Sequence, residues 1–217
     1  MTRLLLLGGD GIGPELVAAT RAVLKAADDG FGLGLRFETA VIGFDALATE
    51  GSTIPDAVID KARAADGIVL GPVSHNAYPP VSEGGLNPSG LLRKTLDLYA
   101  NIRPARTFEG YPPPCGQPFD LVIFRENTEG FYADRNMATG TGEVRPDPDM
   151  VLALRKVTRK ASARIARAAF AHAATRPARH VTAVHKANVL RESDGLFLAE
   201  VRRVAVGYPD VTYEQVL

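Results

Sequence analysis

The chain has 217 residues, of which 46% are hydrophobic and 23% are charged, a composition typical of a globular protein with a sizeable core. Lys and Arg total 25 and Asp and Glu also total 25, so no net positive field would gather nucleic acid or an anionic membrane surface. One cysteine excludes an internal disulfide, and no apolar run is as long as a signal peptide or a membrane span, which together predict a cytoplasmic protein.

Strand-like and helix-like segments alternate along the chain, which predicts an α/β fold. Residues 4–7 form an apolar strand that enters a glycine-rich turn at residues 8–13, and an amphipathic helix follows over 14–28. The turn lacks both the G-x-G-x-x-G spacing of a dinucleotide site and the Gly-Lys of a Walker loop. Asp10 would also place a carboxylate beside an incoming phosphate. We therefore interpret the glycines as structural, although they would also let a ligand approach the backbone.

The next part of the chain continues this alternation. The pattern predicts a half-buried strand over 35–41, a helix over 55–65, a buried strand over 67–73 and a helix over 90–100. Residues 74–89 are rich in Pro, Gly, Ser and Asn and predict a long loop. Loops of this length in compact domains are usually functional or disordered.

The second half of the chain begins with a strand over residues 120–127. The glycines of residues 137–144 predict a hairpin or projecting arm, and apolar spacing predicts a helix over 148–175. A strand is expected over 180–187, followed by a helix capped by Ser193. The final segment, 211–217, alternates like a strand and then stops, from which we expect that sequence is missing.

Residues 90–106 carry several cationic side chains in otherwise apolar surroundings. Arg93 lies within the predicted helix and Arg103 lies just past its end, so a return of the chain could bring them to one anion. The planar guanidinium group suits bidentate binding of carboxylates. Ordinary surface arginines are the alternative.

Two further stretches carry groups suited to proton transfer. Arg125 and Glu126 close an apolar strand, where α/β proteins place ligand-binding groups, and Tyr132 follows as a general acid or as an ordinary core or surface aromatic. Lys186 ends a strand of small apolar residues, where partial desolvation would suit a base, unless its side chain reaches out to water. The basic side chains between Arg155 and Arg167 predict a solvated helix face. The sequence contains no Cys/His cluster for zinc.

Four motifs occur in a single order along the chain: GDGIGPE at 9–15, LRKTLDLYANIRPAR at 92–106, RENTEGFYA at 125–133 and VHKANVL at 184–190. Their order and spacing resemble those of the isocitrate/isopropylmalate dehydrogenases, which are metal-dependent, β-decarboxylating dehydrogenases of malate-type acids. The resemblance covers essentially the whole chain.

The resemblance implies a fold of two α/β subdomains, at residues 1–100 and 101–217. It further implies that the first subdomain is incomplete, because the family's C-terminal third is absent, and that a dimerisation arm lies near 133–147. The protein is accordingly expected to form a homodimer.

The resemblance also implies roles for individual residues. Arg93, Arg103 and Arg125 correspond to the family's carboxylate clamp, which binds a hydroxy-polycarboxylate. Tyr132 corresponds to the acid that protonates the enolate after CO2 leaves. Lys186 corresponds to the base that assists removal of the hydroxyl proton, and family members supply it from the neighbouring subunit.

The cofactor implied by the resemblance is NAD or NADP, approached by Ile12, Asn188 and Val189. Mg2+ or Mn2+ is also implied, with its aspartate ligands expected in the missing part and none in this chain. Asn87 and Ser89 occupy the family's specificity positions. An unpaired polar group facing an isopropyl substituent would cost about 1–3 kcal/mol, which favours a polar or unsubstituted malate derivative such as isocitrate or tartrate.

The sequence thus predicts NAD(P)-dependent oxidative decarboxylation of a malate-type 2-hydroxy acid, of the isocitrate, isopropylmalate or tartrate class. We expect the 217-residue chain to be catalytically incomplete by itself. The alternative is a non-catalytic truncated homologue that serves as an interaction or dimerisation partner.

Overall fold

The computed structural model describes residues 1–131 and 140–217. The chain divides into two compact units, Met1–Asp97 and Leu98–Leu217. Tyr132 and residues 133–139 of the arm predicted near 133–147 lie outside the described residues.

The first unit is built on a parallel sheet in the order β2-β1-β3. Its elements are β1 Thr2–Leu7, α1 Gly13–Phe31, β2 Leu35–Ala40, α2 Phe44–Glu50, α3 Asp56–Ala64, β3 Gly67–Leu70 and α4 Pro88–Thr95. The central strand is apolar because both of its faces are covered, and Leu5 and Leu7 pack with Ile42, Ile54 and Leu92 in the core. The strands and helices predicted from periodicity in this unit are confirmed, with bounds shifted by a few residues.

Within its described residues, 98–131 and 140–217, the second unit contains three separate strand pairs and two helices. They are β4 Ala100–Arg106 with β5 Asp120–Glu126, β6 Glu143–Asp147 with β7 Met150–Ala153, β8 His180–Val184 with β9 Thr212–Val216, and the helices α5 Arg159–Ala174 and α6 Arg191–Ala205. The first two pairs are antiparallel and the third is parallel. Phe170 of α5 is fully buried and packs with Leu198 and Val201 of α6 to form the core.

The helix predicted over 148–175 is wrong over residues 148–158. Residues 143–153 form the β6–β7 hairpin, and α5 begins only at Arg159, where the Thr158 side chain caps the helix by accepting from the Ala161 backbone N–H at 3.2 Å. Val151 and Leu154 fit a helical spacing by coincidence, and both are exposed here.

Three other features were not expected from the sequence, and the first is the short helix α2 at Phe44–Glu50. The strand β4 was not predicted, because it contains Pro104, which lacks a backbone N–H donor. Proline is tolerated at this position because β4 lies at a sheet edge. The helix α6 begins at Arg191, so Ser193 lies within its first turn and is not the N-cap.

Candidate active site

The glycine-rich turn after β1 is held by the side chain of Asp10. Asp10 Oδ1 accepts from the Phe44 backbone N–H at 2.8 Å, and Oδ2 accepts from the Ser74 backbone N–H at 2.8 Å and from the Tyr78 hydroxyl. Burial works to raise the pKa of Asp10, but these hydrogen bonds outweigh it and lower the pKa. Burial and the bond to Asp10 raise the pKa of Tyr78.

The glycines of this turn allow the backbone to pack closely against the segment after β3. A Cβ on Gly9 would lie 2.1 Å from the Pro72 carbonyl oxygen, and its φ is +77°. The Asp10 backbone N–H donates to that same oxygen at 2.8 Å. The turn is therefore a closely packed structural junction, as its spacing predicted. Ile12, expected to approach the cofactor, is 58% exposed just before α1.

The predicted specificity residues and the first clamp arginine all lie at α4. Asn87 is the N-cap of this helix, because its side-chain oxygen accepts from the Gly90 backbone N–H at 3.1 Å. Ser89 and Arg93 are half-buried and four residues apart, so they lie on one helix face. The structure thus shows that Asn87 caps a helix, whereas the sequence predicted only a substrate contact for this residue.

The other two clamp arginines lie on one face of the β4–β5 pair. Arg125 lies directly opposite Asn101, and Arg103 is two residues further along the same strand as Asn101. Because side chains alternate along a strand, Arg103 and Arg125 are diagonal neighbours on that face. The Arg103 Nε–H donates to Asn101 Oδ1 at 2.8 Å, and Arg125 donates to Asn127 Oδ1 at 3.0 Å.

The opposite face of β5 packs on α5. Phe124 contacts His172 with ring centroids 5.3 Å apart, and Glu126 pairs with Arg164 at 3.1 Å. Arg164 also lies over the Tyr99 ring, 4.6 Å from its centroid. These contacts fix the strand, so that Arg103 and Arg125 point away from α5.

The basic side chains of residues 155–167 are more than a solvated helix face. Arg155 pairs with Asp194, Arg159 with Glu200 and Arg164 with Glu126. Arg155 also lies before α5 and not within it. Several of these charges therefore hold the unit together, which corrects the sequence interpretation.

The predicted base, Lys186, lies in a turn between β8 and α6. Its carbonyl oxygen accepts from the Val189 and Leu190 backbone N–H groups at 3.0 and 2.8 Å. Lys186 is exposed on this chain, which is the second of the two alternatives that the sequence left open, because β8 ends at Val184. Asn188 and Val189 are also exposed.

A buried carboxylate holds the Lys186 turn. Asp194 is 4% exposed; its Oδ2 accepts from the Lys186 backbone N–H at 2.6 Å, and its Oδ1 accepts from Arg155. Burial works to raise the pKa of Asp194, but the bonds from Arg155, Lys186 and Ser193 outweigh it and lower the pKa. Sequence reasoning missed Asp194; its place one residue after the predicted cap was the available signal.

The second unit also contains a cavity of about 780 Å3 that borders α5. It is lined by all of β5 and β8 and by apolar residues of α5 such as Ala166 and Phe170. Among the described residues, β5 is hydrogen-bonded only to β4 and β8 only to β9, so the two strand edges that line the cavity are unpaired.

Neither a metal centre nor a membrane helix is found in the described part of the chain. Within residues 1–131 and 140–217, no group of three or more His, Cys, Asp or Glu side chains is arranged to hold a metal ion. In the same ranges, no helix is long and apolar enough to cross a membrane.

Comparisons with known proteins agree with these features. The family model described as isocitrate/isopropylmalate dehydrogenase matches residues 3–217. Isocitrate/homoisocitrate dehydrogenase of Thermus thermophilus is 37% identical over 217 residues, covering 99% of this chain and 60% of that protein. The chloroplastic 3-isopropylmalate dehydrogenase of Solanum tuberosum is 33% identical, covering 100% of this chain and 56% of that protein. The crystal structure of isocitrate dehydrogenase from Methylococcus capsulatus matches with a TM-score of 0.80 and 37% identity, over 100% of this chain and 60% of that one.

The fold and these matches define an α/β protein. The chain belongs to the isocitrate/isopropylmalate dehydrogenase family, which confirms the resemblance seen in its four motifs. It spans 60% of the length of the Thermus relative and 52% of the length of an Arabidopsis thaliana relative named as an NAD isocitrate dehydrogenase catalytic subunit.

Proposed function

We propose that the protein serves the NAD(P)-dependent oxidative decarboxylation of a malate-type 2-hydroxy acid. The observation that carries this proposal is the shared face of Arg103 and Arg125 on the β4–β5 pair. Two neighbouring guanidinium groups that point away from the supporting helix suit an acid with several carboxylates. Family membership supports the same reaction class.

The proton transfers are assigned to residues of the family motifs. Lys186 would accept the hydroxyl proton as hydride leaves the same carbon, and Tyr132 would protonate the enolate after CO2 is lost. Arg93, Arg103 and Arg125 would hold the carboxylates throughout. NAD or NADP, when bound near Ile12, Asn188 and Val189, would accept the hydride.

The divalent metal of this reaction class is not matched by the described residues, which offer no suitable trio of ligands. No step of the proposed reaction is assigned to Mg2+ or Mn2+. The alternative of a non-catalytic homologue gains no support from the comparisons, whose named members are dehydrogenases.

The substrate is proposed to carry a polar substituent or none at the carbon next to the hydroxyl carbon. Ser89 shares a helix face with Arg93, and a hydroxyl there would be left unpaired against an isopropyl group. Isocitrate and tartrate fit this requirement better than isopropylmalate.

We also propose a homodimer joined through the β6–β7 hairpin. Val144, Met150 and Leu152 of the hairpin are between 44% and 55% exposed, an apolar surface suited to a second copy. An exposed Lys186 is consistent with a lysine that serves the neighbouring subunit. Sedimentation velocity at tens of micromolar chain tests this assembly, and a monomer would contradict it.

The clamp is tested by acid binding to Arg103→Ala and Arg125→Ala variants, measured by calorimetry with isocitrate, tartrate and 3-isopropylmalate in the presence of Mg2+. Each variant removes charge-assisted hydrogen bonds worth about 1.5–3 kcal/mol, so the affinity should fall by about tenfold or more. Arg106→Ala is the matched control, because Arg106 lies on the same strand but on the opposite face, over the Phe108 ring. Equal losses in all three variants, or no binding of any acid to the unsubstituted chain, would contradict the proposal.

A further inference from the structure

Asp194 lies in the first turn of α6, but its hydrogen-bond partner is unusual for an acidic residue at that position. Such residues commonly accept from backbone N–H groups of their own helix. Asp194 instead reaches back eight residues, and its Oδ2 accepts from the Lys186 backbone N–H at 2.6 Å. Its own backbone N–H donates to the Leu190 carbonyl oxygen at 3.0 Å, which is an ordinary hydrogen bond of the first turn of α6.

The second carboxylate oxygen is bound by Arg155, which also donates to the Ser193 hydroxyl at 2.8 Å. Arg155 immediately precedes Lys156, whose backbone N–H and carbonyl oxygen both bond to Gly130, at 2.9 and 2.8 Å. One carboxylate therefore connects the Lys186 turn with the Gly130–Lys156 bridge, which closes the segment containing the β6–β7 hairpin.

We propose that Asp194 is a positioning residue for Lys186: it fixes the backbone of the Lys186 turn and, through Arg155, ties that turn to the Gly130–Lys156 bridge. The functional meaning rests on the proposed role of Lys186 as the base. Because Arg155 neutralises Asp194, the carboxylate holds the lysine backbone while its charge is paired with the arginine and not with the lysine side chain. The lysine amine is left for the substrate.

Glu200 provides a matched comparison within the same helix. Asp194 and Glu200 are both 4% exposed, and both pair with arginine, Glu200 with Arg159 at 3.0 Å and with Arg203 at 2.7 Å. Glu200 makes its ion pairs with side chains alone, whereas Asp194 also binds the backbone of a turn. A general effect of losing a buried carboxylate should therefore appear when either residue is substituted. An effect on the position of the Lys186 backbone should appear only when Asp194 is substituted.

The experiment measures amide hydrogen exchange by NMR in the unsubstituted chain, in Asp194→Ala and in Glu200→Ala. We expect the Lys186 amide to exchange at least tenfold faster in Asp194→Ala and less than twofold faster in Glu200→Ala. Equal acceleration in the two variants, or an unchanged Lys186 amide in Asp194→Ala, would overturn the proposal.

A second measurement needs no variant, in case Asp194→Ala does not fold. The Lys186 amide proton shift should follow the protonation of Asp194 as the pH is lowered, since the carboxylate is its acceptor. A shift that stays constant until the chain unfolds would overturn the proposal. Both readouts are independent of turnover, so they distinguish a failure of this inference from a failure of the assigned reaction. If the amide responds but Lys186→Ala of a complete active enzyme keeps its turnover number, the error lies in the assigned base.

Discussion

The two units each use a carboxylate to hold a turn that the family motifs mark as functional, but the two carboxylates are satisfied differently. Asp10 accepts from two backbone N–H groups and a tyrosine hydroxyl, all of them neutral donors. Asp194 accepts from one backbone N–H and is charge-paired with Arg155. Asp194 is also the more deeply buried of the two. Loss of the partner of Asp194 should therefore cost more, because it leaves a buried charge without compensation.

Arg155→Met tests the larger of the two expected costs, the loss of the charged partner of Asp194. Removing the arginine leaves Asp194 charged and buried, and breaking a buried pair in this way destabilises a protein by about 3 kcal/mol or more. Arg167→Met is the control, since Arg167 is an exposed arginine of α5 and should change the free energy of unfolding by less than about 0.5 kcal/mol. Equilibrium urea unfolding measures both variants. Similar small losses in the two would show that the Arg155–Asp194 pair contributes little.

Gly43→Ala tests how closely the first unit packs around Asp10. A Cβ on Gly43 would lie 2.2 Å from Asp10 Oδ1, and the glycine φ is +82°. Strain and displacement of the carboxylate should together cost about 2 kcal/mol. Gly51→Ala, at the other end of α2, is matched for a positive φ of +73° but meets no atom within 4 Å, and should cost about 1 kcal/mol. Equal losses in thermal or urea unfolding would mean that the turn moves to accommodate the methyl group.

The same comparison shows which parts of the structure were accessible from the sequence. The strands and helices of the first unit follow simple periodicities, and β1 was recognisable as a run of four leucines. The region before α5 was mispredicted because Val151 and Leu154 have helical spacing while Pro146 and Pro148 belong to a hairpin. Local patterns alone could not decide between these two structures.

In the candidate site, too, some features could be predicted from the sequence and others could not. The residue types of the clamp were readable because Arg103 and Arg125 lie in recognisable motifs, and the strand pairing adds that they share a face. The partners of Asp194 were not readable, since Arg155 is 39 residues away and only the fold brings the two together. The capping role of Asn87 was not readable either, since its motif position predicts only a substrate contact, while the structure shows that its oxygen caps a helix. Motifs predict which groups carry chemistry, but they do not predict which groups hold them in place.

Asp10→Asn gives the smallest expected effect and the clearest dependence on pH. The neutral donors around Asp10 stabilise its carboxylate without a full opposite charge. The free energy of unfolding of the variant should therefore be lower by about 1 kcal/mol near neutral pH. Hydrogen bonding lowers the folded pKa of Asp10 below its usual value of 3.8 despite the opposing effect of burial. The stabilisation is therefore fully present above the unfolded pKa and is lost as the pH falls through the folded pKa.

The difference in unfolding free energy between the unsubstituted chain and Asp10→Asn should accordingly shrink as the pH is lowered from neutral to below 3.8. Asp45→Asn is the control, because Asp45 is exposed in the first turn of α2 and should show a difference below about 0.5 kcal/mol at neutral pH. Urea unfolding at a series of pH values measures the trend. A difference for Asp10→Asn that is independent of pH would mean that the shape of the side chain, and not its charge, holds the turn.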